Sequence, residues 1–494
     1  MCASAMEYIL AYAASELVNF RLIEFSSLCE LLKISLDKTI IRHSPDYWSQ
    51  PYVPVHLEND RIATLLVERS VLIKSVYHVW CSASSLPELI HKIPDLPAER
   101  TDKYINSFGS YKLIVSSANK KLSHEEKLDI IEAVLNAHRT LNASVSLCNP
   151  DYQLNVLLDF KPRNWAKGPP VREAELRQVF YGRFVASSKR KVFMNSYRLA
   201  DRSYLGNTSM DVRLAAIMAN VGLCGPGALV WDPFVGTGSI LLAASLWGAF
   251  GAGSDIDFAL LHGLGMSPKA GQGKRINGEC LRTNYAQYGI RSLYLDVIVA
   301  DAASLHRLLR VPGVDNFVKP TAAAKCIGLV DAVLTDPPYG FRESSRRIAV
   351  HAIERAPGLV TVRRLADITG SDSPCGRCVD DQTLVEVPHD LPHFPHKEEY
   401  PLHEANSDLL ALSSRLLRPG GRLVFWVPVN RANPIGPDTL PRHPDLQLLA
   451  VCEQILNSRN SRYMVAMRKR GPNDLGSSDA PASEKFHLAE LFPP

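Results

Sequence analysis

Asp232-Pro233-Phe234-Val235-Gly236-Thr237-Gly238-Ser239 links a short apolar run to a second apolar stretch, Ile240 to Trp247, of helical length. Glycines at 236 and 238 let the backbone bend tightly, and the free amides at the start of the following helix can face a small anionic or polar ligand. The turn departs from two common nucleotide loops. No Lys-Ser/Thr follows the glycines, and Ile240 and Leu241 stand where a dinucleotide-binding loop carries its third glycine. A Gly-x-Gly pair alone also fits an ordinary tight turn, so its neighbours decide the reading.

Outward from this turn, candidate strands run over Ala228 to Trp231, Ala249 to Ser254, Leu295 to Ala300, Gly328 to Thr335, Arg422 to Val427 and Arg462 to Met467. They are separated by helical segments, the pattern of a parallel sheet covered on both faces. Asp255 and Asp257 close the second strand and Asp301 follows the third. Those strand ends would line one crevice outside the carboxyl edge of the sheet, where open α/β sheets bind ligands. Asp255 is placed to accept from ribose hydroxyls and Asp257 to cap the next helix. Taken singly, each aspartate reads equally well as a loop or cap residue.

The next strand end carries Asp336-Pro337-Pro338-Tyr339-Gly340. Two prolines fix backbone torsions and remove two amide donors, so the Pro337 carbonyl and the Asp336 carboxylate become rigid acceptors beside Tyr339. An exocyclic amine on a nucleic acid base is a poor nucleophile because its lone pair is delocalised into the ring. Two acceptors for its hydrogens, an aromatic face for the base and a nearby electrophilic methyl group answer that difficulty by orientation and electrostatics. The competing reading is a proline-stiffened turn with an aspartate cap; the order of the motifs favours the chemical one.

The N-terminal third has a different character. Tyr8 to Ala14 and Ile62 to Val67 look like strands and Ser15 to Leu32 like a helix. Tyr111 to Ser116 and Asn155 to Phe160 look like strands flanking a helix that starts near Ser123, where Glu126 three residues on completes a capping-box pattern. Pro162 and Pro169-Pro170 mark a connector. The chain of 494 residues has 46% hydrophobic and 21% charged residues and a net charge of +4, so a nucleic acid surface must be local. Lys189-Arg190-Lys191 and the arginines from Arg342 to Arg347 are the candidates. The ten cysteines are scattered. Only Cys375/Cys378 are close, without a second pair to complete a zinc site, and the Pro-His elements at 388-389, 392-393 and 395-396 have no ligand spacing around them. No metal is expected in this chain. With no secretory signal and no apolar run of about 18 residues, a cytoplasmic location without a membrane span is the expectation. The segment from Gly471 to Ser483 reads as flexible.

On these motifs the sequence resembles class I methyltransferases that carry an Asp/Asn-Pro-Pro-Tyr motif and modify amino nitrogens. More closely, it is similar to the catalytic subunit of the eukaryotic and archaeal tRNA guanosine N2-methyltransferase acting at position 10. The resemblance rests on Tyr181-Gly182-Arg183-Phe184, Leu205 to Asp211, Ile217-Met218-Ala219-Asn220, Asp232 to Gly238, Asp255-Ile256-Asp257, His262-Gly263-Leu264-Gly265, Tyr294-Leu295-Asp296-Val297, and Thr335 to Gly340 followed by Arg342-Glu343-Ser344. It implies a Rossmann-like α/β methyltransferase domain with an α+β N-terminal region containing a THUMP module. The expected division is an α+β region at 1–50, a THUMP-like tRNA-binding region at 51–165, the methyltransferase domain at 180–470 and a tail at 471–494.

The resemblance also implies roles for single residues. Asp232, Gly236 and Gly238 would hold the methionine part of S-adenosyl-L-methionine, Asp255 its ribose, and Asp301 would lie near adenine. Asn207 and Thr208 would lead into the cofactor pocket, although with Ser209 they equally fit as caps for the helix Val212 to Asn220. Catalysis would fall to Asp336, with Pro337 and Tyr339 supporting the amine and the base. The expected partners are tRNA and a small zinc-binding activator subunit. The segment between Arg347 and Tyr400 departs from the family in length and composition. Two other functions compete: methylation of another amino nitrogen, on DNA adenine or a protein glutamine, and a noncatalytic tRNA-binding role. The second sits poorly with the presence of Asp232, Gly236, Gly238, Asp255, Asp336 and Tyr339 together.

Overall fold

Seven strands drawn from the first 187 residues form one mixed sheet: β1 (Met6–Tyr12), β2 (Tyr52–Leu57), β3 (Ile73–Ala83), β4 (Ser110–Ala118), β5 (Ser144–Val145), β6 (Tyr152–Phe160) and β7 (Leu176–Ser187), in the order β2-β1-β3-β7-β6-β4-β5. The computed structural model describes residues 6–13, 17–41, 45–105, 109–138, 142–162, 175–264, 267–268, 273, 275, 278–309, 328–340, 345–348, 362–364, 384–386, 397–436, 439–471 and 474. Cys375/Cys378, the Pro-His elements, Arg342 to Ser344 and all but two residues of the tail lie outside these.

β1 pairs antiparallel with both β2 and β3, so the division expected at residue 50 crosses a single sheet. Likewise β7, whose second half was expected to begin the methyltransferase domain at 180, pairs with β3 and β6. The capping box forms as read: the Glu126 amide donates to Ser123 Oγ at 3.0 Å and the Ser123 amide to Glu126 Oε2 at 2.6 Å. Ile62 to Val67, expected as a strand, lies within a helix, Asp60–Arg69. Asn59 caps it by accepting from the Ile62 amide at 3.0 Å, and its buried residues Ala63, Leu66 and Val67 repeat at helical rather than alternating spacing.

The second sheet contains β8 (Leu229–Asp232), β9 (Phe250–Asp255), β10 (Tyr294–Val299), β11 (Val330–Thr335), β16 (Leu417–Asn430), β17 (Leu446–Ile455) and β18 (Asn460–Lys469), in the order β10-β9-β8-β11-β16-β18-β17. Neighbours from β10 through β16 are parallel and β18 runs antiparallel between β16 and β17. Strand order reverses between β8 and β11, the switch point where such sheets open a ligand crevice. All six expected strands are present; β17 was not anticipated. Four short strands between β11 and β16, namely β12 (Arg346–Ile348), β13 (Val362–Arg364), β14 (Leu384–Glu386) and β15 (Lys397–Glu399), pair outside this sheet as β12-β15 and β13-β14.

The two sheets are joined by a common core. The N-terminal helix Arg21–Leu31 packs toward the helix Val212–Val221, and Phe20 lies 6.1 Å from the fully buried Trp426 of β16. At the centre of the joint is Glu24, 1% exposed. Its carboxylate accepts from Ser70 Oγ at 2.6 Å, the Val71 amide at 2.9 Å, the Leu72 amide at 3.3 Å and Asn220 Nδ2 at 2.9 Å. Arg69 donates to Asn220 Oδ1 at 2.8 Å and lies over the Trp247 ring at 4.1 Å. Burial raises the Glu24 carboxyl above its ordinary range while these hydrogen bonds pull it back. Glu24→Ala leaves the buried Ser70 hydroxyl and Val71 amide without an acceptor and removes one from Leu72 and Asn220, so we expect a loss of about 3 kcal/mol, read as a lower urea midpoint. An unchanged midpoint would remove Glu24 from the joint.

Candidate active site

β8 delivers Asp232 to the switch point with its side chain 1% exposed. Asp232 Oδ1 accepts from Thr335 Oγ1 at 2.6 Å and from the Phe234 amide at 3.0 Å. Because Thr335 is the last residue of β11, this bond ties together the two strand ends that flank the crevice. The turn then runs through Gly236 and Gly238 at φ of 51° and 74°, left-handed values that glycine adopts without steric cost. At Gly238 a Cβ would also sit 1.7 Å from Leu281 Cδ1, so two constraints hold that position. Gly238 caps the helix Ser239–Leu246, whose first-turn amides face the crevice.

β9 ends at Asp255. Its Oδ2 accepts from the Gly236 amide at 2.8 Å and its Oδ1 from the Asp257 amide at 2.9 Å. Asp257 in turn accepts from the Leu260 amide at 3.0 Å and caps the helix Phe258–Leu261, the role expected of it. Asp301 follows β10, with Oδ1 accepting from the Ala303 amide at 3.0 Å and Oδ2 from the Ile348 amide at 2.7 Å. The Asp301 carboxylate therefore fastens β12 to this edge of the crevice.

The residues before the glycine-rich turn dock onto it. Ser209 Oγ lies 2.8 Å from Thr237 Oγ1 and accepts from the Gly206 amide at 2.9 Å. Asn207 and Thr208 are exposed in this turn, beside the glycine-rich loop. The capping role weighed for Asn207, Thr208 and Ser209 goes instead to Asp211, whose Oδ1 accepts from the Arg213 amide at 3.0 Å and the Leu214 amide at 3.3 Å. A carboxylate directly before the first helical residue reaches those amides; side chains two or more residues earlier do not.

β11 carries Asp336 to the same edge. Tyr339 OH donates to Asp336 Oδ1, and Arg462 Nη1 donates to Asp336 Oδ2 at 3.0 Å. Arg462 comes from β18 and is held over the Trp426 ring at 4.1 Å. Sequence reasoning placed Arg462 in a strand and missed its contact. Only the antiparallel register, which sets Arg462 opposite Pro428 at the C-terminal end of β16, brings it to Asp336. Burial pushes the Tyr339 phenol far above its ordinary value, with the Asp336 charge adding to the effect, so Tyr339 stays a donor. Of the basic cluster at 189–191, Lys189 pairs with Glu68 at 2.9 Å and Arg190 donates to the Leu72 carbonyl at 3.3 Å; both contacts serve the fold. Among the described residues no group of three or more His, Cys, Asp or Glu side chains could hold a metal ion.

Residues 6–190 match the family model described as the Tmrp11 THUMP N-terminal domain, and residues 200–358 match the RMKL-like methyltransferase domain. The tRNA (guanine(10)-N(2))-methyltransferase TRMT11 of Xenopus laevis is 32% identical over 466 residues, covering 94% of this chain and 85% of that protein. The chain belongs to the TRMT11 family. The Homo sapiens member is 32% identical, with 92% of this chain and 87% of that protein covered. Among solved structures, TrmN from Thermus thermophilus aligns at 15% identity and a TM-score of 0.39, with 94% of this chain and 99% of that one covered.

The residues present fit the family's methyl donor, S-adenosyl-L-methionine: a buried carboxyl beside a glycine-rich turn suits a cationic amino acid end, and first-turn amides suit its carboxylate. Burial pushes the Asp232 carboxyl up to about 7, opposed by the bonds from Thr335 and Phe234 and reinforced by the charges of Asp255 and Asp336. A raised value favours the proton in the unliganded fold, whereas a bound ammonium favours the carboxylate. Cofactor affinity is therefore expected to rise with pH up to about 7 and level above it, until the ligand's own amino group loses its proton. Asp232→Asn should flatten this acid limb in calorimetric titrations; an identical limb in wild type and variant would reject the role.

Proposed function

We propose that this chain transfers a methyl group from S-adenosyl-L-methionine to the exocyclic N2 of guanosine 10 in tRNA, as the catalytic subunit of a two-subunit enzyme. The observation that carries the reading is the placement of Asp232 and Asp336 at adjacent strand ends, bridged by Thr335, in a chain of the TRMT11 family. The cofactor supplies an electrophilic methyl group on a sulfonium. Asp336 and the Pro337 carbonyl accept the two amine hydrogens, which turns the nitrogen toward that methyl and stabilises the positive charge that grows on it. Arg462 and Tyr339 hold the Asp336 oxygens in place before substrate arrives, so little reorganisation is needed at the reaction. Tyr339 presents an aromatic ring beside the same carboxylate for the base to stack on.

The proposed small zinc-binding activator subunit has a suitable docking strip on β10. This strand is the edge of the catalytic sheet, and Leu295, Ile298 and Val299 on it are 51%, 37% and 46% exposed. A partner strand would satisfy the free edge and cover those side chains. No helix among the described residues is long and apolar enough to cross a membrane. The same reading places the enzyme in the cytoplasm, where its thiols stay reduced.

Asp336→Ala should lower single-turnover methylation of tRNA at least a hundredfold while leaving cofactor affinity near normal, since the lost contact belongs to the transition state. Mass analysis of nuclease fragments fixes the modified base, and near-normal turnover in the variant would sink the assignment. For the partner, Leu295→Asp/Ile298→Asp should abolish co-migration with the co-expressed activator on sizing. An unaltered complex would move the docking surface away from β10.

A further inference from the structure

The catalytic edge continues past Arg462 into a groove of about 540 Å³ lined by Asn430, Arg431, Ala432, Ser458, Arg459 and Asn460. The register explains why. Asn430 pairs with Asn460 and Pro428 with Arg462 across β16 and β18, and residues two apart on a strand share a face. Asn430 and Asn460 therefore lie on the face from which Arg462 reaches Asp336. One rung further out, the Arg431 amide donates to the Arg459 carbonyl at 2.9 Å. Asn457 Oδ1 accepts from the amides of Arg459 and Asn460, both at 2.9 Å, which fixes the tip of the β17–β18 hairpin. Arg459 lies three residue steps before Arg462, about 10 Å along an extended chain.

Little of the charge in this groove is spent on the fold: among the described residues Arg431 has one ion pair, with Glu453 at 3.7 Å, and Arg459 has none. Two exposed guanidiniums and two amide side chains on a rigid hairpin end form a surface for an oxyanion of fixed position. We infer that this groove takes a backbone phosphate of the RNA strand adjoining the nucleotide whose base enters the Asp336 site. The inference rests on the RNA substrate proposed above. A base turned out of its stack exposes its neighbouring phosphates, and contacts to them fix register without reading sequence.

The test uses the full chain with its activator, comparing wild type with Arg431→Glu/Arg459→Glu and Arg431→Lys/Arg459→Lys. The measurements are tRNA binding across a salt series, KM for tRNA, cofactor affinity and the unfolding midpoint. The glutamate pair should raise KM about tenfold or more and reduce the slope of log affinity against log salt by about 1 per arginine. Cofactor affinity and midpoint should stay at wild-type values, and the lysine pair should retain most of the binding. Unchanged KM and salt slope would overturn the groove, as would loss of the activator complex with RNA binding intact. A wild type that binds tRNA through these arginines but leaves guanosine unmethylated would support the groove and overturn the function proposed above.

Discussion

The carboxylate of Glu24 is the point on which the arrangement of the two sheets depends. A buried carboxylate is tolerated only when its lone pairs are filled, and here the donors come from three places: Ser70 to Leu72 before β3, the amide of Asn220 in the catalytic domain, and through Asn220 the guanidinium of Arg69. Sliding of one sheet against the other breaks the bonds of Asn220 to Glu24 and Arg69 together. The apolar contacts around it, Phe20 against Trp426 and Arg69 over Trp247, supply attraction without direction. The hydrogen bonds supply the direction. The N-terminal sheet is thus held at a set distance and angle from the Asp336 edge.

A second buried carboxyl organises the crevice in a different manner. Glu24 is saturated by donors, whereas Asp232 has two donors on one oxygen and repulsion from its acidic neighbours. Burial holds its charge back, and a cation beside it favours the carboxylate. Asp336, a strand away, has a guanidinium on one oxygen and a phenol on the other.

Much of the catalytic half was legible in the sequence because its signals are local. Apolar runs, the glycine-rich turn and Asp-Pro-Pro-Tyr each read within ten residues, and the Ser123/Glu126 box formed as written. Signals that depend on distant pairing were not legible. Arg462 looks like any polar strand residue until the register of β18 against β16 carries it to Asp336. Residues 6–12 look like the strand of a separate unit until they insert between β2 and β3. Ile62 to Val67 misled because a short apolar run has no unique period, and only the Asn59 cap before it breaks the tie.

The seam between the sheets also sets an order of events during synthesis. Asn19 receives a hydrogen bond from Cys452 Sγ, 433 residues later in the chain, and Glu30 pairs with Arg422, 392 residues away. At ordinary translation rates the ribosome needs about 20 to 90 s to cover the longer interval. For that time the contacts of Asn19 and Glu30 with the last strands stay unmade, although the N-terminal sheet is already complete from residue 187 onward. The seam therefore closes last, after both of the strands' partners in the N-terminal region have long been made.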